Sequence, residues 1–277
     1  MMLQQIIERM YELPADEIDA SDVLHSVGQL KEMLNSGHVR AAEYLAGGWR
    51  VNTWVKKGIL LAFRFGKLAE AFPDHAFPFF DKDTMTLRKF SLAENVRIVA
   101  GGSAIRDGAF VAEGVVMMPP SYVNIGAYID RQTMIDSHAL VGSCAQVGKR
   151  VHISAAAQIG GVLEPIGSMP VIIEDDVLIG GNCGIYEGTI IEKRAVIGAG
   201  VILTGSTPVY DVVRNMIHRK TPEKPLVIPR DAVVIPGNRH IDNPFAHQHK
   251  LSIYTPIIVK YRDEKTDAAT ALEESLR

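Results

Sequence analysis

The sequence is poor in several features that define particular protein classes. It has only two cysteines, Cys144 and Cys183, which excludes a disulfide framework and leads us to expect a reducing compartment, the cytoplasm. Aromatic residues make up only 7% of the chain, which favours a core of aliphatic side chains. The net charge is −3, so no global attraction to nucleic acid or to an anionic membrane is expected.

Long apolar runs are also missing from the first part of the chain. The most apolar early stretch, residues 58–65, is far shorter than the roughly 20 residues of a membrane span. The first ten residues include Glu8 and Arg9 and lack the apolar stretch and cleavage site of a secretory signal. We therefore expect neither a membrane partner nor secretion.

The 277 residues are enough to bury a substantial core, and the first 90 are predicted to form a helical domain. Apolar residues recur there at helical spacing. The two sets are Leu3, Ile6, Ile7 and Met10, then Leu30, Leu34, Ala41 and Leu45. Pro14 and the pair Gly47 and Gly48 punctuate these predicted helices.

A hexapeptide repeat follows the helical part. From Val99 to Ile159 every sixth residue is aliphatic, and four residues after nearly all of these stands a small residue such as Ala109. The pattern breaks between residues 160 and 171, then resumes two residues out of phase from Ile173 to Leu203. The break predicts an insertion loop.

The period of six indicates a parallel β-helix. One large and one small residue per unit fit a short strand followed by a bend, and three units complete a triangular coil. Stacked coils about 4.8 Å apart pair their backbones and align equivalent side chains. An ordinary antiparallel domain would instead alternate at period two. The fold prediction is mainly β, with a helical N-terminal domain and a small C-terminal extension.

The β-helix is predicted over residues 91–240. It includes a polar, exposed excursion near residues 208–225 and a last partial coil at Ile228 and Val234. Residues 241–277 are expected to form a small cap, with a strand at 251–261 and a helix at 267–276.

Three longer strings make the repeat more specific. They are residues 118–130 (MPPSYVNIGAYID), 141–149 (VGSCAQVGK) and 159–165 (IGGVLEP). These strings, and the segment around Trp49 and Trp54, resemble the tetrahydrodipicolinate N-succinyltransferases of bacterial lysine and diaminopimelate synthesis. The likeness is weaker over residues 66–90 and 208–250.

The resemblance implies both a fold and a reaction. It implies a left-handed coil, a homotrimer with active sites between adjacent subunits, and no tightly bound cofactor. The implied reaction transfers a succinyl group from succinyl-coenzyme A, a co-substrate, to the nitrogen of tetrahydrodipicolinate in its hydrated or ring-opened amine form.

The resemblance also assigns residues. Arg97 matches the family's carboxylate-binding arginine, and Asp136 matches its acidic active-site residue, a base or a group that orients the amine. Many relatives carry a second acid where this chain has Gly184, so Glu187 is the nearest candidate for that catalytic role. An acid at a turn can equally be a solvated structural residue.

Further candidates lie within or near the matching strings. Asn124, Ser143 and Glu164 are candidate substrate contacts, with ordinary polar turn residues as the alternative. Coenzyme A needs backbone N–H groups and cations for its phosphates. The candidates for these roles are Gly160, Gly161, Gly180 and Gly198, with Arg214, Arg219, Lys220 and Lys224 for phosphate.

Three competing functions remain. The first is the related N-acetyltransferase, which would use acetyl-coenzyme A on the same substrate. The second is a zinc hydratase, which needs three histidine ligands, whereas the repeats contain only His138 and His152, so no metal site is expected. The third is a non-enzymatic scaffold, which would consume no acyl-coenzyme A.

Overall fold

The computed structural model describes residues 2–71 and 78–263. Its helices are α1 Leu3–Glu12, α2 Ala20–Asn35, α3 Thr53–Phe65 and α4 Pro244–Gln248, with short 3-10 helices at Ala15–Glu17 and Leu92–Glu94. The N-terminal strands are β1 Ala42–Leu45, β2 Gly48–Val51, β3 Leu68–Glu70 and β4 Phe80–Lys82. Within the described residues no helix is both long and apolar enough to cross a membrane.

The first 90 residues are less helical than their spacing predicted. Helix α2 ends at Asn35, and the chain then turns through Gly37, whose φ of 72° is in the left-handed region. Ala41 and Leu45 therefore do not continue a helical face, and that prediction is wrong. Strands β1 and β2 pair as an antiparallel hairpin instead.

The parallel part consists of very short strands, most of them two residues long. They are β5 Arg97–Ile98, β6 Ala104–Ile105, β7 Phe110–Val111, β8 Val116–Met117, β9 Tyr122–Val123, β10 Tyr128–Ile129, β11 Met134–Ile135, β12 Leu140–Val141, β13 Gln146–Val147, β14 His152–Ile153, β15 Gln158–Ile159, β16 Ile172–Ile173, β17 Leu178–Ile179, β18 Gly184–Ile185, β19 Ile190–Ile191, β20 Val196–Ile197 and β21 Ile202–Leu203.

Each strand pairs with the third strand before and after it. One six-stranded sheet has the order β7, β10, β13, β16, β19 and a later strand, and another runs from β6 to β21. A ten-stranded sheet contains β5, β8, β11, β14, β17 and β20. Successive strands thus visit the three sheets in rotation, and we call this stack of coils the column.

The interior of the column is aliphatic, as the repeat predicts. From Ile105 to Leu203, the large residue of every repeat is at most 5% exposed, and the small partners from Ala109 to Val201 are equally buried. Residues from all three sheets form one core cluster. Burial of each aliphatic side chain contributes about 1.5–3 kcal/mol, so few aromatic residues are needed.

Val99 departs from the predicted register. Ile98, not Val99, lies opposite Met117, and Val99 is outside β5. The turn between β5 and β6 contains one extra residue, with Gly101 and Gly102 at φ values of 142° and 93°. The regular six-residue register therefore starts at Ile105.

The two ends of the column are covered by other parts of the chain. At the start, the Arg88 N–H donates to the Ile105 carbonyl (2.9 Å), and its guanidinium Nη1 donates to the Ala109 carbonyl (2.8 Å). At the far end, the sheets receive β22 Val209–Asp211, β23 Met216–His218, β24 Val227–Ile228, β25 Ala232–His240 and β26 Ser252–Tyr261.

The C-terminal part agrees in part with its prediction. The strand expected at 251–261 is confirmed as β26, while the helix expected at 267–276 lies outside the described residues. The excursion is not uniformly polar and exposed: Val209 belongs to the column core, and Asp211 is buried. Asp211 accepts a hydrogen bond from the Tyr261 hydroxyl (2.6 Å), which attaches the excursion to β26.

The stacked core yields a prediction about stability. Ile153→Ala should lower the free energy of unfolding by about 2–5 kcal/mol, because Ile153 is fully buried and its loss leaves a cavity. Ile253→Ala, at a side chain that is 45% exposed, is the matched control and should cost clearly less. Denaturant unfolding followed by circular dichroism measures both, and equal losses would contradict a core centred on the inward stack.

Candidate active site

A cavity of about 760 Å³ lies between the 160–171 loop and residues 220–225, and we call it the loop cavity. Four predicted site residues line it: Gly160, Gly161, Glu164 and Glu187. Lys220, Glu223 and Lys224 line it as well, so the 220–225 side carries two cationic side chains and one carboxylate. The structure thus brings together candidates from the insertion loop and from a later coil.

Two glycines at the start of the 160–171 loop let its backbone lie very close to neighbouring coils of the column. A Cβ on Gly160 would lie 2.8 Å from Cδ1 of Tyr186, and one on Gly161 would lie 2.6 Å from the backbone nitrogen of Ser143. The second contact is with backbone, which cannot move aside as the end of a flexible side chain can. Larger residues at these two positions would push the loop away from the coils that contain Tyr186 and Ser143.

Glu187 has a structural task at this site. Its backbone has a φ of 52°, and its Oε2 accepts a hydrogen bond from the Gly205 N–H at 2.7 Å. This contact ties one coil to the next. The side chain is exposed and borders the loop cavity, so the same carboxylate also faces the open space.

Position 184, where many relatives carry an acid, has no room for a side chain in this structure. A Cβ on Gly184 would lie 2.4 Å from Cε2 and 2.9 Å from the hydroxyl oxygen of Tyr186. The Tyr186 ring therefore occupies the space into which a side chain at position 184 would project. Tyr186 also lines the loop cavity and was not among the predicted site residues.

Arg97 and Asp136 lie away from the loop cavity, on the ten-stranded sheet. Arg97 is opposite Val116, which is opposite Met134, so Arg97 is two strands from β11. Met134 and Asp136 are two residues apart and share the outward orientation of Arg97. With strands about 4.8 Å apart and a rise of about 3.3 Å per residue, the backbones of Arg97 and Asp136 are about 12 Å apart on this face.

Asp136 begins a turn and is half-buried. Its Oδ1 accepts the Ser137 N–H at 2.7 Å, and its own N–H donates to the Ile153 carbonyl. Gly180 and Gly198 take the same position in later coils of this sheet, immediately after β17 and β20. With Ser154, which follows β14, these residues form one row at the C-terminal ends of the strands β11, β14, β17 and β20.

Asn124 and Ser143 lie on the neighbouring six-stranded sheet. The Asn124 Oδ1 accepts the Ile125 N–H at 2.8 Å, a turn contact. Ser143 is only 9% exposed and its carbonyl accepts the Val162 N–H at 3.2 Å, so it supports the insertion loop. In this single chain neither residue lines the loop cavity.

A second cavity, of about 790 Å³, lies between the β1–β2 hairpin and the six-stranded sheet that contains β10. Arg40 lines it, with its guanidinium 3.6 Å from the Tyr128 ring and its Nε donating to Gln146 (2.9 Å). Burial lowers the pKa of Arg40, and nearby carboxylates such as Asp130 oppose that effect. The sequence prediction missed this cavity because hairpin and sheet are far apart along the chain.

Neither cysteine has the properties of a nucleophile. Cys144 is completely buried against the N-terminal helices, and that burial raises its pKa to about 12. Burial also raises the pKa of Cys183. Both thiols therefore remain protonated near neutral pH.

Comparison with known proteins gives consistent matches in the N-terminal part of the chain and in the repeat region. Residues 2–65 match the family model "Tetrahydrodipicolinate N-succinyltransferase N-terminal", and residues 170–205 match "Hexapeptide repeat of succinyl-transferase". A solved Campylobacter jejuni structure, described as a putative 2,3,4,5-tetrahydropyridine-2-carboxylate N-succinyltransferase, is 14% identical, with a TM-score of 0.44. The match covers 89% of this chain and 64% of that one.

Two curated relatives are named 2,3,4,5-tetrahydropyridine-2,6-dicarboxylate N-succinyltransferase. The protein from Polynucleobacter asymbioticus is 40% identical, and that from Burkholderia ambifaria is 41% identical. Each match covers 99% of this chain and 98% of the relative. At this identity over nearly the whole length, the chain belongs to the tetrahydropyridine-dicarboxylate N-succinyltransferase family.

Proposed function

We propose that this protein transfers the succinyl group of succinyl-coenzyme A to the amino nitrogen of tetrahydrodipicolinate in its hydrated or ring-opened form. The observation that carries the proposal is the 40–41% identity, over 99% of the chain, to relatives named for this activity. The reaction is a step of diaminopimelate and lysine synthesis. The outward residues Arg97 and Asp136 give it a plausible chemical basis.

The proposed chemistry is a direct acyl transfer. The amine nitrogen attacks the thioester carbonyl carbon, a C–N bond forms, and the C–S bond then breaks to release coenzyme A. The nitrogen gives up a proton, which the Asp136 carboxylate accepts, and the departing thiolate takes one up. Arg97 binds a substrate carboxylate through paired N–H donors, and Asn124, Ser143 and Glu164 are assigned to further substrate contacts.

The acyl donor is assigned to the glycine-lined surfaces. Gly160 and Gly161 border the loop cavity, and Lys220, Glu223 and Lys224 are on its other side. The two lysines are assigned to the phosphates of coenzyme A. Gly180 and Gly198 are assigned to its extended arm, since glycine lets a ligand approach the backbone closely. Glu187 is proposed as a second catalytic carboxylate beside this cavity.

The assembly is also part of the proposal. We assign a left-handed winding to the coils, a homotrimer with the active site between adjacent columns, and a cytoplasmic location without a tightly bound cofactor. Units at 1–90, 91–240 and 241–277 are the proposed domains. In this arrangement Arg97 of one subunit and Asp136 of its neighbour approach the same bound substrate, and both residues lie on the outer face of the ten-stranded sheet.

Donor choice tests the proposed function directly. With tetrahydrodipicolinate or 2-aminopimelate as acceptor, kcat/KM for succinyl-coenzyme A should exceed that for acetyl-coenzyme A by at least about tenfold, because the distal carboxylate adds a charged hydrogen bond. Thiol release measures both rates. A preference for acetyl-coenzyme A would identify an N-acetyltransferase, and consumption of neither donor would favour a scaffold.

The role of Asp136 can be isolated with a matched variant. Asp136→Asn should lower kcat by about 10²–10⁴-fold, because the amide accepts the Ser137 N–H but takes up no proton. Asp130→Asn is the control: Asp130 accepts the Arg131 N–H at 2.8 Å in an equivalent turn on a different sheet. Equal activity of the two variants would remove Asp136 from the mechanism.

Arg97 is expected to act on acceptor binding. Arg97→Gln should raise KM for the acceptor about tenfold or more, since it removes a charge-assisted hydrogen bond to a carboxylate. Arg131→Gln removes another arginine, which is 63% exposed and pairs with Glu113, and should leave KM unchanged. Steady-state kinetics with varied acceptor distinguish the two, and an unchanged KM in Arg97→Gln would argue against the assignment.

A further inference from the structure

Two consecutive lysines of helix α3 have very different surroundings. Lys57 forms an ion pair with Glu12 near the surface, at 2.6 Å between Nζ and Oε1. Lys56 is 0% exposed, and its Nζ donates a hydrogen bond to the backbone carbonyl of Ser168, also at 2.6 Å. Ser168 belongs to the 160–171 loop, 112 residues further along the chain.

The surroundings of Lys56 do not favour a buried charge. The nearby N-terminal core contains Ile59 of the same helix, Cys144 of the column and Leu163 of the loop. Burial lowers the pKa of Lys56, and Cys144 opposes that shift. Among the residues that the structure describes, the Ser168 carbonyl is the hydrogen-bond partner of this amino group. An apolar residue would pack here without the cost of desolvating a charge.

The contact is made at a turn that forms part of the loop cavity. The Ser168 N–H donates to the Pro165 carbonyl at 2.9 Å, which closes the 165–168 turn. Pro165, Gly167 and Ser168 all line the cavity, next to Glu164. The turn also contains Gly167, where an added Cβ would contact nothing within 4 Å, so neighbouring atoms restrict it little on that side.

The loop is thus attached to the N-terminal helices at two kinds of contact. Leu163 packs into their apolar core, and Lys56 holds the far side of the turn through a charged hydrogen bond. A charge-assisted hydrogen bond is directional and stronger than a neutral one, so it fixes the position of the turn as well as its proximity. Apolar packing alone would let the 165–168 turn shift relative to the N-terminal helices.

We propose that Lys56 is a positioning residue: it holds the 165–168 turn in place and so shapes the wall of the loop cavity that receives the acyl donor. The inference rests on the proposed function for the identity of that ligand. Lys56 acts through the turn and touches no reacting atom, so its effect falls on donor binding rather than on the chemical step.

Lys56→Met tests this inference, because methionine keeps an unbranched apolar side chain and removes the donor. We expect KM for succinyl-coenzyme A to rise about tenfold, with kcat changed less than about twofold. Amide hydrogen exchange of residues 160–171 should become faster than in the wild type. The control is Lys57→Met, which removes the neighbouring surface ion pair and should leave both measurements unchanged.

The two readouts separate the possible outcomes. A lower melting temperature with unchanged KM and unchanged exchange of the loop would show a merely structural lysine and overturn the proposal. If the wild type does not turn over succinyl-coenzyme A, the proposed function fails, while the exchange comparison still decides whether Lys56 holds the turn. Should Lys56→Met not fold, Lys56→Gln, which has a shorter amide donor, takes its place. A raised KM for succinyl-coenzyme A with faster exchange of residues 160–171 would support the proposal, and no change in either would overturn it.

Discussion

The register between coils is the constraint on which the rest of the structure depends. Backbone hydrogen bonds between parallel two-residue strands place each inward aliphatic residue against its equivalent in the adjacent coil, as with Ile135 and Ile153. The outward positions are fixed by the same pairing. Asp136, Gly180 and Gly198 therefore take equivalent positions in their coils, and the core that stabilises the protein also spaces its candidate functional groups.

Much of the fold could be predicted because it repeats. A six-residue period signals the inward positions many times over, so the parallel strands, the shared core and the outward placement of Asp136 follow from sequence. Features that occur only once in the chain, such as an inserted residue or a hairpin, lack that redundancy. The extra residue beside Gly101 shifted Val99 out of register, and Leu45 had helical spacing although it ends β1, just before the hairpin turn at residues 46–47.

The residues of the candidate site could be predicted from the sequence, but the cavity that they line could not. Gly160, Gly161 and Glu187 could be named from motifs, yet the cavity that joins them depends on the path of the insertion loop and of residues 220–225. Nothing periodic encodes those paths. The relation between Gly184 and Tyr186 is likewise steric, and a residue-by-residue match with relatives records the missing acid without showing what takes its place.

The covered ends of the column also limit how far the stacking can continue. Two-residue strands present unpaired N–H and carbonyl groups at the first and last coils, and nothing in the repeat itself limits the number of coils. Arg88 occupies carbonyls at one end, and the long antiparallel pair β25–β26 continues one sheet at the other with strands of a different geometry. Backbone groups that would otherwise pair with a further coil are used within the chain at these positions, which disfavours end-to-end stacking of copies there.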